Sequence, residues 1–143
     1  MSATTAKRLR DYFEDWLGTP AESEKKVVQM VESGLPVKVV GRLIDGGLSK
    51  DEVFHIIVNP RTLKHRKSKH QPLSREESER AVRTVRILSQ AQTVLGDRQR
   101  ALEWLRAPKK RFEGRSAMNM LSTEAGGRLV EQMLIQIDEG MFG

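Results

Sequence analysis

Apolar and polar residues recur with helical spacing along most of this chain. Between Lys7 and Leu17 the apolar positions are Leu9, Tyr12, Phe13, Trp16 and Leu17. That i, i+3, i+4, i+7 stripe predicts an amphipathic helix, ended by Gly18-Thr19-Pro20. With three aromatics in five residues, its apolar face must be buried, on the rest of the domain or on a second copy. A second helix is expected from about Glu22 to Glu32 on Val27, Val28, Met30 and Val31, stopping at Ser33-Gly34. Pro36 opens a third, with Val37, Val39, Val40, Leu43 and Ile44 inside and Gly46-Gly47 closing it. Ser49 with Glu52 three residues later spells a capping box, and the short helix it starts runs through Val58, burying Val53, Phe54, Ile56 and Ile57. Asn59-Pro60 reads as the N-cap and first position of a helix that continues to Lys69, before Gln71-Pro72 breaks it.

A second capping box, Ser74 with Glu77, starts the longest predicted helix, Arg75 to Leu95, ended by Gly96. Its stripe is Ala81, Val85, Leu88 and Leu95, widened by Val82, Ile87, Ala91 and Val94. Glu76–Arg80 and Glu79–Arg83 have i, i+4 spacing in the favourable order, and Arg83 and Arg86 are expected to be solvated. This helix is the expected spine between two halves. Ala101, Leu102, Trp104 and Leu105 then predict a short helix that ends before Pro108, and Lys109-Lys110-Arg111 is expected as a loop making at most a minor contact to phosphate or an acidic partner. Ala117 to Leu121 supplies a turn or two. Thr123 caps a last helix on Leu129, Val130, Met133, Leu134 and Ile137, ended by Gly140 and followed by the apolar tail Met141-Phe142-Gly143. The expected fold class is all-α: an N-terminal helix-turn-helix domain joined by a long helix to a small helical C-terminal domain, divided at 1–72 and 73–143.

Composition narrows this further. The chain has 143 residues, seven of them aromatic, and no cysteine, so disulfides and thiolate metal sites are excluded. Neither a signal-peptide core nor an apolar run of membrane length (roughly 18 residues) is present, and the expectation is a soluble cytoplasmic protein with no membrane contact. The net charge is +6, and the six Lys and Arg residues between Val53 and Arg75 (Arg61, Lys64, Arg66, Lys67, Lys69 and Arg75) face no Asp or Glu within that window. The whole excess charge therefore sits there. A short cationic helix with one apolar anchor, Leu63, is suited to a DNA groove; a solvated loop or a general polyanion patch is the plainer alternative.

Two helix-turn-helix registers compete. In one, Gly47 is the turn and Lys50 to Val58 reads DNA. In the other, the turn is Ile57 to Asn59 and Pro60 to Lys69 reads. Asp51 and Glu52 would meet phosphates with repulsion in the first register, so the second is preferred. The expected DNA contacts are Arg61, Thr62, Lys64, His65, Lys67 and Lys69. Arg61 and Thr62 lie nearest base edges at the helix N-terminus, with Lys64, Lys67 and Lys69 on phosphates. A homodimer is expected, because paired reading helices match a palindromic site.

Catalytic chemistry is missing from the sequence. His65 and His70 are five apart, off the i, i+4 spacing of a helical metal pair, and His55 is isolated. No serine has a base patterned near it. Gly126-Gly127 lacks phosphate-loop spacing, and Trp104 and Leu105 sit at core spacing. The expectation is a non-enzyme without cofactor or metal.

The second half carries a series of short phrases in order: Leu73-Ser74-Arg75-Glu76-Glu77-Ser78, Leu95-Gly96-Asp97, Ala101-Leu102-Glu103-Trp104-Leu105, Pro108, Gly114, Met118 to Leu121, Ser122-Thr123-Glu124-Ala125-Gly126 and Val130-Glu131. Arg61-Thr62-Leu63 precedes them. From about Asp51 to Gly143 the chain resembles the Xre/MbcA/ParS-type antitoxins. It departs at Ile57, where the family commonly has Gly, and at Ser116-Ala117, where Pro is frequent. The resemblance implies an antitoxin of a type II toxin–antitoxin system that binds its operator DNA and caps a cognate toxin, usually a RES-domain enzyme that degrades NAD. It also places toxin contact in the C-terminal half. The unburied apolar terminus makes Glu139, Gly140, Met141, Phe142 and Gly143 the expected toxin-binding residues, covering the enzyme's active site.

Overall fold

A computed structural model describes residues 2–140. Among them are eight α-helices: α1 (Ala3–Leu17), α2 (Glu24–Ser33), α3 (Lys38–Asp45), α4 (Lys50–Ile56), α5 (Pro60–Ser68), α6 (Arg75–Leu95), α7 (Arg98–Arg106) and α8 (Glu124–Asp138). Two 3-10 turns, Lys110–Phe112 and Met118–Ser122, lie between α7 and α8, and the only β-pairing among the described residues is an isolated Pro108–Ser116 bridge. The fold is all-α, as the periodicity predicts. No helix among the described residues is long and apolar enough to cross a membrane.

The 21-residue α6 is the spine, and α1, α2, α4, α7 and α8 all pack on it. Being covered on several sides, it needs small side chains that satisfy themselves when buried. Thr84 and Ser89 donate to the carbonyls of Arg80 and Val85, one turn back, at 2.8 and 2.7 Å. Buried Ser78 accepts the Leu35 N–H at 2.9 Å, tying the α2–α3 connection to the spine. The buried apolar residues from Phe13 to Leu134 form one cluster, so both halves share a core.

The caps define the boundaries. Ser49 with Glu52 and Ser74 with Glu77 are complete capping boxes, and Asn59, Asp97 and Thr123 accept N–H groups of the first turns of α5, α7 and α8. Helix α1 starts at Ala3, earlier than the apolar stripe predicts, because Ser2 caps it through the Thr5 N–H. Its aromatic face is buried inside the chain. Trp16 is 1% exposed, its indole N–H donates to Gln92 on α6, and the Arg98 guanidinium lies 4.3 Å from its ring centroid. Gly46 admits this packing, since a Cβ there would come within 2.5 Å of the Trp16 ring.

Several surface expectations are corrected. Arg83 is half-buried and donates to the Leu121 carbonyl at 3.3 Å, so it is not simply solvated, whereas Arg86 is exposed as expected and makes a surface pair with Glu24 on α2 at 2.6 Å. Arg80 donates to the Ile57 carbonyl at 2.9 Å instead of pairing with Glu76. Lys109 is buried rather than a loop cation. Its ammonium lies 4.4 Å from the Trp104 ring centroid and donates to the carbonyls of Trp104 and Ala107, closing the C-terminus of α7. Burial pushes the Lys109 amine below its ordinary value. Val28 and Leu129, assigned to helix interiors by spacing, are 54% and 45% exposed, because their stripes are wider than the faces their neighbours cover.

Candidate nucleic-acid interface

The basic stretch folds as α5, following a turn at residues 57–59. Asn59 accepts the Thr62 N–H at 2.8 Å, and Pro60 fills the first helical position. Leu63 is buried, and so are Ile56, Ile57 and Val58 leading into it. Ile57 has φ −109° and ψ −60°, a right-handed conformation, so this turn does not require a glycine there.

The outward face of α5 presents Arg61, Lys64, His65 and Ser68, at i, i+3, i+4 and i+7. Lys67 and Lys69 are exposed on its flanks, while Thr62 is half-buried. Among the described residues, no carboxylate pairs with Arg61, Lys64, Lys67 or Lys69. The helix ends where His70 turns left-handed (φ 54°) and the Gln71 N–H returns to the Arg66 carbonyl at 2.9 Å. Five of the six expected DNA contacts thus lie on α5, and the sixth, Lys69, is its C-cap. Ser68, the last residue of α5, shares that face at i+7 from Arg61, and its hydroxyl donates to the His65 carbonyl at 3.0 Å.

Arg66 belongs to the same basic run but not to the face. Its Nε and Nη2 donate to the two carboxylate oxygens of Glu77 on α6 at 3.2 and 3.3 Å. Glu77 also accepts the Ser74 N–H at 2.7 Å. Burial pushes the Glu77 carboxyl up, but that hydrogen bond and those from Arg66 outweigh it and leave the group below its ordinary value. With Arg80 on the Ile57 carbonyl, α6 holds both α5 and the turn before it.

The other helix of the motif, α4, is held from the C-terminal half. Arg106 on α7 donates to both oxygens of Glu52 at 2.8 Å and to the Gly47 carbonyl at 2.6 Å. Burial raises the Glu52 carboxyl, and the Arg106 and Ser49 hydrogen bonds outweigh it, so Glu52 also stays below its ordinary value. His55 Nε2 lies 3.1 Å from Asn119 Nδ2, and Asn119 in turn accepts from Arg115 at 2.9 Å.

In the C-terminal half, α8 packs closely on the Met118–Ser122 turn because Gly126 has no side chain: a Cβ there would lie 2.0 Å from the Met120 carbonyl oxygen. Gly126-Gly127 is thus a packing device in the first turns of α8. Of the expected toxin contacts, Glu139 caps the C-terminus of α8 and Gly140 follows with φ 77°, both exposed. Met141, Phe142 and Gly143 lie outside the described residues. Leu129 and Ile135 on α8 are 45% and 42% exposed. Among the described residues no cluster of His, Cys, Asp or Glu is arranged to hold a metal.

A cationic helix after a tight turn, backed by a second helical unit, defines a helix-turn-helix protein with an appended domain. Residues 26–86 match the family described as the antitoxin Xre-like helix-turn-helix domain, and residues 90–140 match the antitoxin Xre/MbcA/ParS C-terminal toxin-binding domain. The chain is 39% identical over 104 residues to antitoxin Xre of Pseudomonas putida, covering 73% of this chain and 63% of that protein. It is 28% identical over 142 residues to antitoxin Xre of Yersinia enterocolitica, covering 97% of this chain and 95% of the relative. Antitoxin Xre of Photorhabdus laumondii is 26% identical over 128 residues. The chain thus combines an antitoxin Xre-like helix-turn-helix domain with an antitoxin Xre/MbcA/ParS C-terminal toxin-binding domain.

Proposed function

We propose that this chain is the antitoxin of a type II toxin–antitoxin pair, acting in the cytoplasm, that represses its own operon through α5. Its C-terminal half binds a cognate RES-domain, NAD-degrading toxin and covers the toxin's active site. The observation that carries the DNA reading is the uncompensated cationic face of α5, mounted on the spine through Arg66 and Glu77. Arg61 and Thr62 serve base edges, and Lys64, His65, Lys67 and Lys69 serve the backbone. The protein acts as a homodimer within a larger complex, each copy supplying one reading helix to a palindromic operator.

The toxin reading is supported by the match of residues 90–140 to a toxin-binding domain. The toxin contacts are Glu139 and Gly140, which follow the end of α8, together with Met141, Phe142 and Gly143. The decisive experiment is cellular NAD and growth with the neighbouring gene expressed alone and together with this chain. NAD loss reversed by co-expression, with a stable complex, supports the reading. Growth and NAD unmoved by the neighbour leave a stand-alone helix-turn-helix regulator. Removing Met141 to Gly143 should release the toxin, and full neutralisation by the truncated chain rejects the tail as the cap.

A further inference from the structure

Arg106 lies in the half that matches the toxin-binding domain, yet its guanidinium is directed at the helix-turn-helix. One fork closes both carboxylate oxygens of Glu52, and Nη2 also reaches the Gly47 carbonyl. Glu52 is the third helical residue of α4, and its carboxylate completes the capping box by accepting the Ser49 N–H at 2.8 Å. Gly47 lies in the turn that launches α4, with φ 129°. Arg106 therefore fixes the turn, the cap and the first turn of α4 together. The Met118–Ser122 turn packs along the same helix, and Asn119 meets His55 near its other end. Helix α5 has its polar tie to α6 instead.

This division has a mechanical consequence. In a helix-turn-helix the first helix crosses the DNA backbone and sets the angle at which the second enters the groove. A seven-residue α4 is too short to define its own orientation, so what holds its N-terminus sets that angle. A planar guanidinium can close two carboxylate oxygens and a carbonyl at once, which an ammonium cannot do with the same geometry.

We propose that Arg106 is a positioning residue for DNA reading, through which the C-terminal half sets the angle of the helix-turn-helix. The inference rests on α5 being the reading helix. Loosening the clamp misaligns Arg61 with the base edges, while Lys64, Lys67 and Lys69 still find phosphates. The signature is a loss of discrimination with little loss of general DNA affinity.

The test uses the full chain as wild type, Arg106→Gln, Arg106→Lys and Glu52→Gln. Binding is measured to a duplex of the chain's own upstream region and to a scrambled duplex of equal length, across a salt series. Amide hydrogen exchange over residues 48–58 is followed without DNA. Arg106→Gln and Glu52→Gln should weaken upstream-duplex binding roughly 5- to 10-fold, leave scrambled-duplex binding within about twofold, and speed exchange in α4. Arg106→Lys keeps the charge and the aliphatic stem, so it guards against misfolding; it should still lose discrimination, by a smaller factor. Equal weakening on both duplexes by Arg106→Gln, with the salt slope reduced by about one, would make Arg106 a phosphate contact and overturn the proposal. Full discrimination with unchanged exchange in every variant overturns it as well. Absence of preference in the wild type overturns the α5 reading itself, and this proposal with it.

Discussion

The guanidinium of Arg66 closes on both carboxylate oxygens of Glu77, while its neighbour Lys67 stands exposed with no acidic partner among the described residues. Two adjacent cations in one basic run therefore do different work. Arg66→Ala leaves a buried carboxylate with one partner fewer and should cost about 2 kcal/mol, lowering Tm by roughly 5 °C. Lys67→Ala should leave Tm in place, weaken binding to all DNA sequences and reduce the salt slope by about one. Arg61→Ala should instead relax sequence preference. Thermal melts beside salt-dependent binding decide it; a Lys67 variant that melts early while binding normally would reverse the assignment.

Acid should destabilise the fold through Glu52 and Glu77. Both carboxyls lie below their ordinary values when folded, so the unfolded chain takes up more protons as pH falls. Their contribution is therefore fully present above the unfolded carboxylate range, about 4.3, and is lost as pH drops through the lower folded values. Tm followed from pH 7 to pH 3 should fall more steeply for wild type than for Glu77→Gln. Parallel curves would show that this carboxylate carries no linkage.

Two glycines should respond in opposite directions. Gly126→Ala forces a Cβ to within 2.0 Å of the Met120 carbonyl oxygen, backbone that cannot step aside cheaply, and should cost about 2–3 kcal/mol. Gly41, inside α3, has open space around the position of a Cβ and an ordinary helical φ. Gly41→Ala should stabilise by roughly 0.5–1 kcal/mol, because alanine restricts the unfolded chain. Chemical denaturation of both variants tests the pair, and stabilisation by Gly126→Ala would refute the close packing of α8 on the turn before it.

Trp16 and Gln92 join the first helix to the spine. Trp16→Phe keeps most of the apolar contact but strands a buried amide oxygen, at a cost of about 1–3 kcal/mol; Trp16→Ala should cost more, about 3–5 kcal/mol. Because Trp16 is buried within the chain, neither change should alter self-association of the protein that remains folded. Sedimentation at matched folded fraction checks this, and a monomer produced by Trp16→Phe alone would place Trp16 at an interface after all.

Helix positions were readable because their signals are local. Ser49 with Glu52, Asn59 with Pro60, Ser74 with Glu77 and Thr123 before Glu124 each satisfy N–H groups within one turn of themselves, whatever lies elsewhere in the chain. The concentration of positive charge between Arg61 and Arg75 is a property of the sequence too, and so is the choice of α5 over the acidic start of α4 as the cationic helix. Spacing alone also excluded a helical histidine pair for metal.

Partners across the fold depend on where distant segments meet, and only the tertiary structure decided them. Arg66 and Lys67 are neighbours in one basic run, and the approach of α6 pairs the first with Glu77 and leaves the second exposed. Lys109 reads as a loop cation until the chain folds it over Trp104, and nothing local to Arg106 points to Glu52, which α4 brings beside it. Leu129 fits an apolar stripe, yet it stays 45% exposed. Periodicity gives the face a residue occupies on its helix; burial and pairing depend on what the rest of the chain places against that face.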